Sequence, residues 1–204
     1  IVLSLDGPAE LHDRHRPLVG GGGSHAAALR TARLLGRAPA DLCLRACIST
    51  QNVARMRDIA SYFSRELTPS VVDFETVCET PASRAAEVLA PDPFAFARGF
   101  AAAHAILAST GVEAVYAGFG TGAARHTACP VGRDAVILAA DGTLSGCYLL
   151  PERWERRRLD LSIGRADSEL GIVVDPAAIG RLRALVLDKP RCARCFCRWT
   201  CAGG

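Results

Sequence analysis

The chain has 204 residues, which is enough to bury a full hydrophobic core, and half of them are apolar. Its formal net charge is only +3, with both signs interspersed, and this argues against a nucleic-acid-binding protein. No apolar run is long enough to span a membrane, and the first residues lack the charged and apolar regions of a signal peptide. We therefore expect a cytoplasmic protein without a membrane or nucleic-acid partner.

The first half of the chain alternates strand-like and helix-like segments, which is typical of βα units that build a parallel sheet. The predicted strands are 1–5, 42–49 and 71–77. We expect one helix to be capped by Ser24 and to end at Gly36, the next to be capped by Asn52, and a third to cover 93–109. The sequence thus predicts an α/β fold with three consecutive βα units.

The pattern changes after Gly111. A strand is predicted over 112–117, a glycine-rich link follows, and 134–150 has the pattern of a hairpin turned at Asp141-Gly142. A helix over 176–187 then leads into a cysteine-rich tail. We place the domain boundary after residue 117, with an α/β part over 1–117 and a small cysteine-bearing module over 118–204.

Six of the nine cysteines lie in the second part, and five of these six follow a definite spacing. Cys129, Gly142 and Cys147 form C-x12-G-x4-C, and Cys192, Cys195 and Cys201 form C-x2-C-x5-C. In a reducing compartment such thiols are metal ligands, redox groups or buried side chains more often than disulfides. Thiolates suit iron–sulfur clusters and zinc, so a structural zinc site and simple buried thiols remain the alternatives.

This cysteine order resembles the SPASM domain, the C-terminal extension of radical S-adenosylmethionine enzymes that carries auxiliary [4Fe-4S] clusters. The resemblance implies that Cys192, Cys195 and Cys201 share one cluster and that Cys129 and Cys147 belong to another. It also implies that Phe196 and Trp199 shield a cluster from water. The family pattern continues with further cysteines, which we expect beyond Gly204.

The opening segment SLDGPAELHDRHR, Ser4 to Arg16, independently resembles the fourth barrel strand of the same enzymes. In that family the serine and the arginine at these positions contact the carboxylate of S-adenosylmethionine. The resemblance therefore implies that Ser4 and Arg16 bind this cofactor. A hydroxyl and a guanidinium fork are chemically suited to a carboxylate.

One feature of the family is missing from the chain, namely the C-x3-C-x2-C motif that holds the catalytic cluster. Cys43 and Cys47 have the first spacing, but Thr50 stands where the third cysteine is needed, and both cysteines lie on a predicted strand. We interpret them as ordinary thiols of the sheet. The expectation is that the chain is a fragment, the C-terminal part of a radical SAM barrel followed by a truncated SPASM module, and that alone it is inactive.

For the complete enzyme the resemblance implies an oxidoreductase that uses a 5′-deoxyadenosyl radical to modify a precursor peptide or protein, with flavodoxin or ferredoxin as reductant. Sulfatase-maturing relatives have an aspartate after the G-x4-C cysteine, and Tyr148 stands there in this chain. This favours maturation of a ribosomal peptide over sulfatase maturation. A non-catalytic zinc- or cluster-binding module that recognises a peptide is the alternative from another class.

Overall fold

The structure is a computed structural model, and it describes residues 1–116, 135–147, 158–183, 190 and 192–201. The chain divides into two compact units, Ile1–Ala117 and Gly118–Gly204. Each unit has its own sheet and its own hydrophobic core. The two are therefore described separately.

The first unit alternates strands and helices. Its strands are β1 Val2–Ser4, β2 Cys43–Ile48, β3 Val71–Thr76 and β4 Glu113–Val115. Its α-helices are α1 Ala9–His15, α2 His25–Leu35, α3 Met56–Glu66, α4 Pro81–Ala85 and α5 Pro93–Ala108, and a 3-10 helix, Val53–Arg55, leads into α3. The predicted strands and long helices of this half are confirmed, with ends that differ by one to three residues.

The four strands form one parallel sheet in the order β1-β2-β3-β4. Neighbours in the sheet are thus neighbours in sequence, as expected when each strand is followed by a helical crossover. This confirms the α/β class with a parallel sheet. The order is compatible with part of a (β/α) barrel, but four strands alone do not define a closed barrel.

The pairing register divides the sheet into an apolar and a polar face, because successive side chains of a strand point to opposite sides. One cross-strand row is apolar and contributes to the core: Leu3, Leu44, Val72 and Ala114. The next row along the strands is Ser4, Arg45, Asp73 and Val115. Leu44, Ala46 and Ile48 of β2 are fully buried and alternate with the less buried Cys43, Arg45 and Cys47.

Two predicted helix caps behave differently from expectation. Ser24 does precede α2, but its hydroxyl donates to the carbonyl of Arg16 and makes no cap hydrogen bond. Asn52 precedes the 3-10 helix, and its side chain accepts from Ser49 N and donates to Cys47 O. Both side chains therefore bind backbone groups at the ends of other elements, an alternative to capping that serine and asparagine side chains commonly take.

The second unit contains an antiparallel sheet in the order β5-β6-β7-β8. Its strands are β5 Ile137–Leu138, β6 Thr143–Ser145, β7 Ser162–Asp167 and β8 Gly171–Val174, followed by helices α6 Pro176–Arg183 and α7 Arg198–Cys201. β5 and β6 form the predicted hairpin, with Gly142 at φ +85° in its turn. Left-handed backbone of this kind favours glycine.

Among the described residues of the second unit, Leu144, Leu161, Ile163 and Leu182 form a buried core cluster. Cys147 and Ile179 pack against it. In the part of the chain that the structure describes, no helix combines the length and the apolar character needed to cross a bilayer.

Candidate functional site

The polar side chains of the first unit gather at the carboxyl end of β1 and on the polar face of the sheet. Ser4 is the last residue of β1, and Asp6 follows two residues later, where the chain turns at Gly7. Parallel strands that share a sheet end at one edge, so the segments after β1 and β2 meet there. The predicted cofactor residues Ser4 and Arg16 belong to this edge.

Asp6 is the centre of the cluster at this edge, and its side chain is fully buried. Arg16 approaches it as a fork, with Nε 2.8 Å from Oδ2 and Nη2 3.3 Å from Oδ1. The backbone N–H of Cys47 on β2 also donates to Oδ1, at 2.8 Å. One carboxylate therefore joins the end of β1, the residue after α1 and the neighbouring strand.

The charge of Asp6 is stabilised by these contacts. Burial by itself would raise the pKa of Asp6, but the contacts with His15 and Arg16, the positive charge of Arg16 and the Cys47 N–H together hold that pKa below its ordinary value. Asp6 is therefore an anion near neutral pH. The Arg16 side chain, which is 37% exposed, is fixed by this anion and still reaches solvent.

A second set of hydrogen bonds holds the loop around the Asp6 carboxylate. His12 is buried, its Nδ1 accepts from Asp6 N at 3.1 Å, and its Nε2 lies 3.0 Å from Ser24 Oγ. Ser24 in turn donates to Arg16 O. Because Nδ1 accepts, we assign the neutral tautomer with the proton on Nε2. Burial lowers the pKa of His12, which agrees with a neutral ring.

His15 connects Asp6 to the end of β2. Its Nδ1 lies 3.4 Å from Asp6 Oδ2, and its Nε2 lies 2.9 Å from Ser49 Oγ. Ser49 is fully buried and also accepts from Gln51 N. A serine, histidine and aspartate in this order would suit nucleophilic catalysis, but a buried Ser49 hydroxyl cannot reach a substrate. We interpret the three residues as a structural connection between two strand ends.

The polar face of the sheet also carries an ion pair between adjacent strands. Arg45 Nε donates to Asp73 Oδ2 at 2.8 Å, and Asp73 is only 5% exposed. Its other oxygen, Oδ1, is buried and has no hydrogen-bond partner among the described residues. Ser4 is the cross-strand neighbour of Arg45 in the same row. The face next to Ser4 is therefore polar and not part of the core.

The two cysteines of β2 behave as protonated thiols. Both are half-buried, and they alternate with the core residues of the strand. Burial, with the charge of Asp6 as a smaller contribution, raises the pKa of Cys47 to about 11. Burial likewise raises the pKa of Cys43. Since a metal ligand must be a thiolate, this environment supports our interpretation of Cys43 and Cys47 as sheet thiols.

The predicted cysteine ligands lie in the second unit, and the structure describes all of them except Cys129, which lies outside the described residues. Cys192 and Cys195 form one turn, in which Cys195 N donates to Cys192 O at 3.1 Å. Cys201 ends α7 and donates its N–H to Cys197 O at 2.8 Å. Cys147 follows β6 and packs against the small core. Phe196 is exposed, so its predicted shielding role stays a prediction.

The thiol chemistry of this tail fits a soft metal or an iron–sulfur cluster, since four cysteines fall within 192–201. The described positions of these cysteines do not form a complete metal site. Among the residues that the structure describes, no three or more His, Cys, Asp or Glu side chains are arranged to hold one metal ion. The ligand roles of Cys129, Cys147, Cys192, Cys195 and Cys201 therefore stay predictions, and we assign no reaction step to them.

Reasoning from the sequence identified Ser4 and Arg16 but missed Asp6, His12 and His15 as the residues that organise this edge. The sequence did contain an indication of the role of Asp6. A carboxylate directly after a strand and before Gly-Pro lies where donor groups of the following helix can contact it. The Arg45–Asp73 pair was also missed. It depends on the register between β2 and β3, which the sequence does not specify.

These observations define an α/β unit with a parallel sheet and a polar cluster at one strand edge, together with an antiparallel unit that carries six of the nine cysteines. No known protein-family model matches the chain, and no curated protein matches it.

Proposed function

We propose that the chain is a fragment of a radical S-adenosylmethionine enzyme that modifies a peptide or protein, with the C-terminal part of the barrel in its first unit and auxiliary iron–sulfur clusters in its second. The support is the cysteine spacing, the SLDGP segment and a sheet whose parallel strands follow one another in sequence. Modification of a ribosomally made precursor peptide is the activity we favour, because Tyr148 replaces the aspartate of sulfatase-maturing relatives.

One observation supports this proposal most strongly. Arg16 lies at the carboxyl end of β1, close in sequence to Ser4, and the buried Asp6 anion fixes its guanidinium while more than a third of the side chain stays exposed. Active sites of (β/α) barrels lie at this end of the strands. An arginine that is held from one side by a carboxylate is prepared to bind an incoming carboxylate with its remaining N–H groups.

S-adenosylmethionine, with a reduced catalytic cluster, would supply the radical that abstracts hydrogen from substrate, and that chemistry belongs to the cofactor. The described residues have binding and positioning roles. Arg16 and Ser4 bind the methionyl carboxylate, Asp6 orients Arg16, and His12 with Ser24 holds the loop that carries them. The negative charge of Asp6 is already compensated by Arg16. The polar residues at the end of β1 therefore present no uncompensated negative charge to the methionyl carboxylate.

The cofactor role is tested in the enzyme that includes this chain. In Ser4→Ala and Arg16→Gln we expect S-adenosylmethionine to bind roughly tenfold more weakly, because each change removes a charge-assisted hydrogen bond. Arg33→Gln, which alters an exposed pair with Glu66, is the control and should bind normally. Ser4→Ala keeps the test valid if Arg16→Gln destabilises the fold. Unchanged affinity in both variants would refute the assignment.

The enzyme class is tested by the gene and by metal analysis. We expect the reading frame upstream of Ile1 to encode a C-x3-C-x2-C motif. Protein isolated without oxygen should contain iron and acid-labile sulfide. A start codon directly before Ile1, or a colourless protein with stoichiometric zinc, would instead favour a non-catalytic metal-binding module.

A further inference from the structure

A groove lies on the helical side of the first unit, away from the polar face of the sheet. It runs between the 3-10 helix with the start of α3 on one side and α5 on the other, and its volume is about 310 Å³. Most of its lining is small or apolar, including Ala95, Gly99 and Ala102 of α5. Two arginines, Arg57 and Arg98, complete it.

The floor of the groove depends on the close approach of α5 to α3. Met56 is fully buried there, and a Cβ built on Gly99 would lie 2.7 Å from Met56 Sδ. Glycine at this position thus lets the two helices pack without a side chain between them. The result is a shallow apolar channel with space for one or two aliphatic side chains.

The charged residues that line the groove are both cationic. Arg57 and Arg98 are both exposed, and neither forms an ion pair with any residue in the described ranges. Asp58, the acidic residue next to Arg57, is paired with Arg55, which also contacts Glu10. Arg98 is the only residue of α5 among Asp, Glu, Lys and Arg. Two arginines therefore line one groove, and the described residues provide neither with an ion-pair partner.

We propose that this groove docks an acidic segment of a partner protein, with leucine-like side chains over Gly99 and Ala102 and flanking carboxylates on Arg57 and Arg98. The complementarity has both an apolar and an electrostatic part. The apolar channel selects the side chains, and the two cations favour a segment with acids on either side. This proposal is independent of the radical chemistry, because it uses neither the strand edge nor the cysteines.

The test uses the full chain and a fluorescein-labelled peptide, Glu-Glu-Leu-Leu-Glu-Glu, followed by fluorescence anisotropy. We expect the double variant Arg57→Gln/Arg98→Gln to bind it roughly tenfold more weakly than the wild type, since two exposed ion pairs are lost. Arg30→Gln/Arg65→Gln changes the net charge equally on exposed positions outside the groove and should bind normally. Equal affinity in the two double variants would overturn the proposal.

A steric variant separates docking in the groove from general attraction of anions. Ala102→Leu fills the channel and leaves both arginines in place, whereas Ala101→Leu adds the same side chain at an exposed position outside it. We expect only Ala102→Leu to abolish peptide binding, with circular dichroism confirming that both variants are folded. If Ala102→Leu binds normally, or if inorganic phosphate at equal ionic strength displaces the peptide completely, the groove is not a segment-docking site.

Discussion

Asp6 determines the local structure at the end of β1, because two separate segments, the end of α1 and strand β2, meet on its carboxylate. Arg16, the Cys47 N–H and His15 all contact it, and it is fully buried. A buried anion is costly unless its partners are fixed, and here a guanidinium fork and a backbone donor compensate for the lost hydration. The same contacts that hold the fold also place Arg16 for its proposed cofactor role.

Asp6→Asn should lower the free energy of unfolding by about 3 kcal/mol, because Arg16 would lose the charge to which it is bound. Urea titration at neutral pH measures this loss.

The same contacts predict a dependence on pH. Because the pKa of Asp6 is lowered in the folded state, the stabilisation of the fold by Asp6 is complete above the ordinary value of 3.8 and is lost as pH falls through the folded-state pKa. The difference between wild type and variant should therefore shrink only in acid. Asp58→Asn, at an exposed pair, is the control, and an equal effect there would contradict the assignment.

Cys47 provides a second prediction for a single residue. With a pKa of about 11, only about one Cys47 thiol in a thousand is a thiolate at pH 8, so its reaction with iodoacetamide should be slow. Mass spectrometry of partly alkylated native protein should find exposed Cys195 modified well before Cys47. Rapid labelling of Cys47 in the native protein would show that its thiol is neither buried nor protonated.

At the scale of the elements, the long helices and the strands of the first unit were predictable because their apolar residues recur with clear periods. Met56, Ile59, Ala60 and Phe63 recur at helical spacing and are all fully buried. The cap at Asp92, whose side chain accepts from Ala95 N, was not predicted. The last two strands, β7 and β8, were missed because β8 is exposed throughout and has no alternation of apolar and polar residues to identify it.

Gly164 is the residue on which the pairing of β7 and β8 depends. Its φ is +149°, and a Cβ there would lie 2.1 Å from Val173 O, which is backbone and cannot yield cheaply. Gly164→Ala should therefore lower the melting temperature of the second unit and disrupt this pairing. Gly180→Ala in α6, where nothing lies within 4 Å, should leave the unit equally or more stable. Equal melting temperatures for the two variants would show that β7 and β8 do not pair in this register.

At the scale of the whole molecule, the chain combines an α/β unit with an antiparallel unit, and Leu144, Leu161, Ile163 and Leu182 form a core cluster among the described residues of the second unit. Small units are commonly supported by a metal or cross-links. The sequence predicted the α/β class of the first unit and the β5–β6 hairpin of the second. It could not predict how distant thiols converge, because that depends on tertiary contacts and on any bound metal.

The Mössbauer spectrum of the chain, after anaerobic reconstitution with isotope-enriched iron and sulfide, tests the central claim most directly. We predict the quadrupole doublet of a [4Fe-4S] cluster in the wild type, loss of at least one cluster in Cys195→Ala, and an unchanged spectrum in the control Cys43→Ala, whose thiol lies on β2. A spectrum of unspecifically bound iron alone, or equal cluster content in all three proteins, would contradict the assignment of the tail as a cluster-binding segment.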